Sequence, residues 1–147
     1  MKYKKHSNKK VSEHFNQKEF DCSCNSCDTT LIDDQLIHAL ETLRRLIKKP
    51  IHINSAYRCT EHNKAVGGAV NSQHPNGKAA DITVSGLKPD QLHAFVVNIF
   101  DGIGLYNSFV HVDVRGNKAR WGKKPVKDVL PEGPSDQDIE DKLKGLE

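Results

Sequence analysis

The 147-residue sequence contains no run approaching the ~20 consecutive apolar residues that a membrane helix requires, so no membrane insertion is expected. Aromatic residues are scarce at 6% of the chain, and Tyr3 alone stands among the lysines near the start, with no repeated interleaving. A base-stacking platform needs such interleaving, so nucleic acid is not an expected partner. The opening Met1-Lys2-Tyr3-Lys4-Lys5-His6 is basic, yet no apolar stretch follows it. A secretory leader needs that stretch, and the chain as written is expected to accumulate in the cytoplasm. Internal repeats are also missing.

What is present describes one ordinary globular domain, expected as a monomer, with a tail at each end. Hydrophobic residues make up 36% and charged residues 28%, which points away from wholesale disorder. The formal net charge is +3, unevenly spread. Five lysines stand in the first ten residues, while from residue 122 onward five Lys face seven Asp or Glu, a net of 5 − 7 = −2. Residues 1–11 read as a basic flexible leader, 12–121 as the folded domain and 122–147 as a polar tail with at most one weak helix over 135–146.

Within the domain, Leu36, Leu40, Leu43 and Ile47 recur at helical spacing. Asp33 and Asp34 suit the start of that helix, Arg44, Arg45, Lys48 and Lys49 its end, and Pro50 stops it. A strand is expected over 51–57, a short helix over 60–66 closed by Gly67-Gly68, and a loop over 69–78. A strand over 80–84 follows, then an amphipathic helix over 89–100 opened by Pro89, and two short strands over 103–106 and 109–115. This order predicts an α+β fold with a mainly antiparallel sheet flanked by helices.

Two of the strands carry unusual polar faces. Side chains two apart share a face, so Ala80, Ile82 and Val84 face one way and Asp81 and Thr83 the other. Likewise Val110, Val112 and Val114 oppose Phe109, His111 and Asp113. If the two strands are neighbours, Asp81 and His111 converge, and His74 can fold back to them across the Pro75-Asn76-Gly77 turn. Two imidazoles and a carboxylate are a common catalytic zinc shell with one position left for water. On pattern alone, a lone histidine on a strand is more often packed or solvated than a metal ligand.

The segment Ser72-Gln73-His74-Pro75-Asn76-Gly77-Lys78-Ala79-Ala80-Asp81 resembles the Ser-x-His-x-x-Gly-x-Ala-x-Asp signature of zinc D-Ala-D-Ala peptidases. Phe109-Val110-His111-Val112-Asp113-Val114-Arg115, followed by Arg120-Trp121, resembles the closing strand of the branch holding murein endopeptidases and phage-encoded wall hydrolases. Asn54-Ser55-Ala56-Tyr57-Arg58 is similar to the strand end before that family's metal motif, and Ser12-Glu13-His14-Phe15 with Glu19-Phe20 to its lead-in. The resemblance covers residues 12–121 and implies the fold shared with hedgehog signalling domains. It implies zinc ligation by His74, Asp81 and His111, and hydrolysis of peptidoglycan stem peptides or cross-links, as carboxypeptidase or endopeptidase. It places Arg58 at the cleft, to hold a substrate carboxylate or a developing oxyanion, although a structural ion pair is the alternative. Ser72 either donates near the metal or fixes the loop. Without a leader, such a chain suits an endolysin-like phage product released to the wall, or a cytoplasmic enzyme trimming wall precursors.

One departure bears on mechanism. Several relatives carry an acidic proton shuttle three positions before the last ligand, and here that position is Ser108. Asp113 is the nearest replacement as base, and it could instead orient an imidazole. The missing acid also leaves room for a second function, a zinc-stabilised, non-catalytic module binding cell wall or protein.

Cys22, Cys24 and Cys27 cluster as C-x-C-x2-C, and Cys59 follows Arg58 directly. These four thiols could hold a second, structural zinc, form disulfides after release from the cell, or stay free. A thiol nucleophile is not expected, since no Cys-His pairing stands out. His6, His14, His38, His52, His62 and His93 carry no distinguishing pattern.

Overall fold

A computed structural model describes residues 1–69 and 71–124 of the chain; all but the first three residues of the expected polar tail, with its weak helix, lie outside them. Helix α1 (Asp34–Ile47) forms where the leucine spacing predicts it. The Asp33 carboxylate accepts from the Gln35 amide at 2.8 Å, capping the free N–H groups of the first turn. Leu36, Leu40, Leu43 and Ile47 are all buried, at about 1.5–3 kcal/mol per side chain. The helix ends just before Pro50 because Lys48 turns left-handed at φ 56° and its amide closes on Arg44.

The platform is a five-stranded sheet of β3 (His52–Ser55), β4 (Ala79–Thr83), β5 (Gly102–Leu105), β6 (Val110–Asp113) and β7 (Ala119–Gly122), in the order β3-β4-β6-β5-β7. All pairings are antiparallel except β5 with β7. One face carries Ala80, Ile82, Val110, Val112, Ile103 and Leu105, and packs into a single core with α1 and α3 (Pro89–Val96). Helix α2 (Thr60–Ala65) lies between β3 and β4 in sequence and is followed by Gly67 at φ 73°. The α+β, mainly antiparallel reading therefore holds.

The leader departs from expectation. Residues 2–4 form β1 (Lys2–Lys4), paired antiparallel with β2 (Thr29–Leu31). Lys5 is buried, and its amide donates to the Asp28 carbonyl at 2.9 Å. Neither strand has the apolar alternation that marks a strand in sequence. Their pairing is anchored by tertiary bonds, such as the buried Thr30 hydroxyl donating to Asp21 at 2.6 Å.

Candidate metal centre

Asp81 and His111 are cross-strand partners in the β4–β6 ladder, so both project from the polar face at one level of the sheet. His74 arrives from a single 3-10 turn (His74–Asn76) that Gly77 closes at φ 71°. A side chain at Gly77 would collide with the Leu31 backbone, so this turn requires glycine twice over. The Ser72 hydroxyl accepts the His74 amide at 3.3 Å, which is the loop-fixing contact.

The three groups meet at ligand spacing. His74 Nε2 stands 3.3 Å from Asp81 Oδ1, and His111 Nδ1 stands 3.0 Å from the same oxygen. Metal–ligand bonds of about 2.0–2.1 Å in a tetrahedron imply ligand separations near 3.3 Å, so the donor set fits zinc. The tautomers suit it too. His74 Nδ1 lies 2.5 Å from the Ala56 carbonyl, which can only accept, leaving Nε2 as the free lone pair. His111 Nε2 lies 2.8 Å from Asp113, leaving Nδ1 for the metal.

Electrostatics favour a charged Asp81. Burial raises its pKa, but hydrogen bonds from His111 and His74 outweigh that and hold it well below the ordinary carboxylate range. For His111 burial lowers the pKa, while Asp113 and then Asp81 push it up to a net rise.

Asp113, read from the sequence as a candidate base or as an orienting group, stands behind the His111 ring. It is fully buried, contacts the His111 ring on the nitrogen remote from Asp81, and is clasped by Arg115 through Nε at 2.9 Å and Nη2 at 2.7 Å. Such a carboxylate neither reaches the cleft nor takes up protons readily, since bonds from His111 and Arg115 overcome burial and depress its pKa. Gly102 stands across the β5–β6 ladder from Asp113, and a Cβ there would strike this carboxylate.

Arg58 stands beside Asp81. Its Nη2 donates to Asp81 Oδ2 at 3.1 Å, its Nε to Ser55 at 3.2 Å and its Nη1 to Asn63 at 3.3 Å, yet it also lines the cleft. Ser108 sits exposed in the β5–β6 turn.

The centre opens into a cleft of about 680 Å³, bordered by residues 66–69 and 71–73 on one side. The opposite wall is aromatic. Tyr106 and Phe109 stack at 4.6 Å, Trp121 Nε1 donates to the Tyr106 hydroxyl at 2.8 Å, and Arg115 lies 4.9 Å over the Trp121 ring. Tyr106 carries no distinguishing pattern in the sequence, and Arg115 stands there only as the end of the closing-strand motif. The available signal was Gly104, whose Cβ would strike the Trp121 ring, beside Gly102 on the site face of β5. Asp81 is the sole carboxylate lining the cleft among the described residues.

The cysteines gather elsewhere, none of them lining the cleft. Cys22, Cys24 and Cys27 follow a 3-10 turn (Gln17–Phe20), and Cys59 caps the start of α2. Their sulfurs stand 3.2 Å (Cys24–Cys27), 3.7 Å (Cys24–Cys59) and 3.9 Å (Cys22–Cys59) apart, with no disulfide formed.

Residues 13–113 match a family model described as Peptidase M15. That span contains His74, Asp81, His111, Asp113 and all four cysteines. No curated protein matches the chain.

Proposed function

The chain belongs to the Peptidase M15 family, and from that premise we propose that it is a zinc peptidase cutting amide bonds in the stem peptides or cross-links of bacterial peptidoglycan. The observation that carries this reading is the convergence of His74 Nε2 and His111 Nδ1 on Asp81 Oδ1, at 3.3 and 3.0 Å, in the lining of an open cleft. When bound, zinc supplies Lewis acidity to a scissile carbonyl and a water acidic enough to attack near neutral pH.

The chain's own groups do the rest. Asp113 and the Ala56 carbonyl hold the two imidazoles in orientation, so little reorganisation is needed on binding. Arg58, fixed by Ser55 and Asn63, has guanidinium protons unspent by those bonds and Asp81, and they serve a substrate carboxylate or a developing oxyanion. Because Trp121 donates to the Tyr106 hydroxyl, the tyrosine's own proton is free to donate into the cleft. The stacked Tyr106–Phe109 pair offers an apolar wall to a short peptide.

A second reading rests on one observation. With Asp113 turned away and Ser108 in the turn, no carboxylate besides Asp81 faces the cleft among the described residues. That arrangement also suits a zinc-stabilised module that binds wall or protein without cleaving. Digestion of purified peptidoglycan, with mass spectrometry of the released peptides, separates the two. The zinc-loaded wild type should release defined fragments and His111→Ala should release none. Absence of products from folded, zinc-loaded wild type across several wall chemotypes would leave the binding module.

A further inference from the structure

We propose that Cys22, Cys24, Cys27 and Cys59 hold a second, structural zinc ion that staples the N-terminal segment to the start of α2. Zinc–sulfur bonds of about 2.3 Å in a tetrahedron imply sulfur separations near 3.8 Å. The observed 3.2, 3.7 and 3.9 Å bracket that value, and all four sulfurs lie within 4.8 Å of one another. Two disulfides would instead show two tight pairs held apart, whereas here Cys24 and Cys59 each approach two partners.

The surroundings point to the same occupant. Four thiolates around a divalent ion carry a net charge of 2 − 4 = −2, which asks for nearby cations and N–H donors. Lys5 is buried and makes no carboxylate ion pair among the described residues. Its ammonium donates to the Cys24 carbonyl at 2.5 Å and to Cys27 Sγ at 3.6 Å. A buried ammonium without an anion is costly, and a zinc–thiolate cluster supplies that anion. The His62 amide adds an N–H···S bond to Cys59 at 3.4 Å. Binding needs no oxidant: four thiols release their protons to solvent and the sulfurs bond the ion.

The position defines the role. The cluster closes a loop from Cys22 to Cys59 and joins two segments outside the five-stranded sheet. Cys59 directly follows Arg58, whose guanidinium holds Asp81, so the cluster also fixes the backbone that aims this arginine.

The test is metal stoichiometry on the full chain purified under reducing conditions, combined with cobalt substitution. Wild type should carry two zinc ions per chain, His74→Ala/His111→Ala one, and Cys24→Ser/Cys27→Ser one. Cobalt bound to the His74→Ala/His111→Ala chain should show a strong thiolate-to-cobalt charge-transfer band. That chain keeps all four thiols, so the result stands even if the cysteine variant does not fold. A wild type with one zinc that the histidine variant loses overturns the proposal. So does a cobalt spectrum without the thiolate band, or a chain mass low by four hydrogens, which marks two disulfides. None of these outcomes depends on wall digestion, so failure of the peptidase reading and failure of this one are separately visible.

Discussion

His74 and His111 turn different ring nitrogens toward Asp81, Nε2 from one and Nδ1 from the other, because different acceptors hold their far sides. A backbone carbonyl cannot be titrated or rotated away, whereas the Asp113 carboxylate can be altered by substitution. Asp113→Asn removes the charge that orients His111 and should weaken zinc binding about 10–100-fold, read by competition with a chromogenic chelator. Activity lost in this variant should recover as free zinc is raised. A true general base would behave otherwise, with a loss of about 10²–10⁴-fold persisting at saturating zinc.

At the level of elements, α1 does more than cover the sheet. It carries Glu41, buried on its inner side, where the carboxylate accepts the His14 amide at 2.8 Å and pairs with the His14 ring at 2.6 Å. This ties the lead-in segment, with its buried Phe15 and Phe20 in edge-to-face contact at 6.1 Å, to the helix. Burial raises the Glu41 pKa, but the neighbouring Ser12 hydroxyl and His14 outweigh it, so the net shift is downward. The unfolded chain therefore binds the proton more readily than the folded one. Glu41's contribution is full above the ordinary glutamate pKa and fades as pH falls through the lowered one. Glu41→Gln should cost about 1.5–3 kcal/mol at neutral pH, with the gap from wild type closing in acid. Urea denaturation at a series of pH values measures it, and a gap independent of pH would refute the charged pairing.

At the scale of the molecule, the sheet divides the labour. Its apolar face is sealed by α1 and α3, and its polar face is left open for the metal centre and cleft. Ligands from a loop, β4 and β6 come together only in the folded chain, so metal affinity adds to stability. With free zinc at about a thousand times its dissociation constant, one site adds roughly 4 kcal/mol. Thermal unfolding should therefore move up with zinc and down with a chelator, and His111→Ala should show a smaller zinc-dependent shift than wild type. An unchanged midpoint in both would mean the native chain does not bind the metal.

The sequence alone determined whatever follows from local period and spacing. The leucine stripe of α1, the alternation around Asp81 and His111, and the glycine at position 77 all write their conformation into neighbouring residues. That is why the fold class and the three candidate ligands are legible in the order of residues. Direction within the site is not. Asp113 shares a strand face with His111 and so reads as a cleft residue, yet Arg115 and Gly102 make it a buried bracket behind the ring. The strand at residues 2–4 and the buried Lys5 are equally hidden, because their partners lie far along the chain, in β2 and in the Cys24–Cys27 loop that carries the acceptors. Likewise the gathering of Cys59 with Cys22, Cys24 and Cys27 depends on where α2 begins in space. Such contacts are settled by packing between distant segments, which no local periodicity encodes.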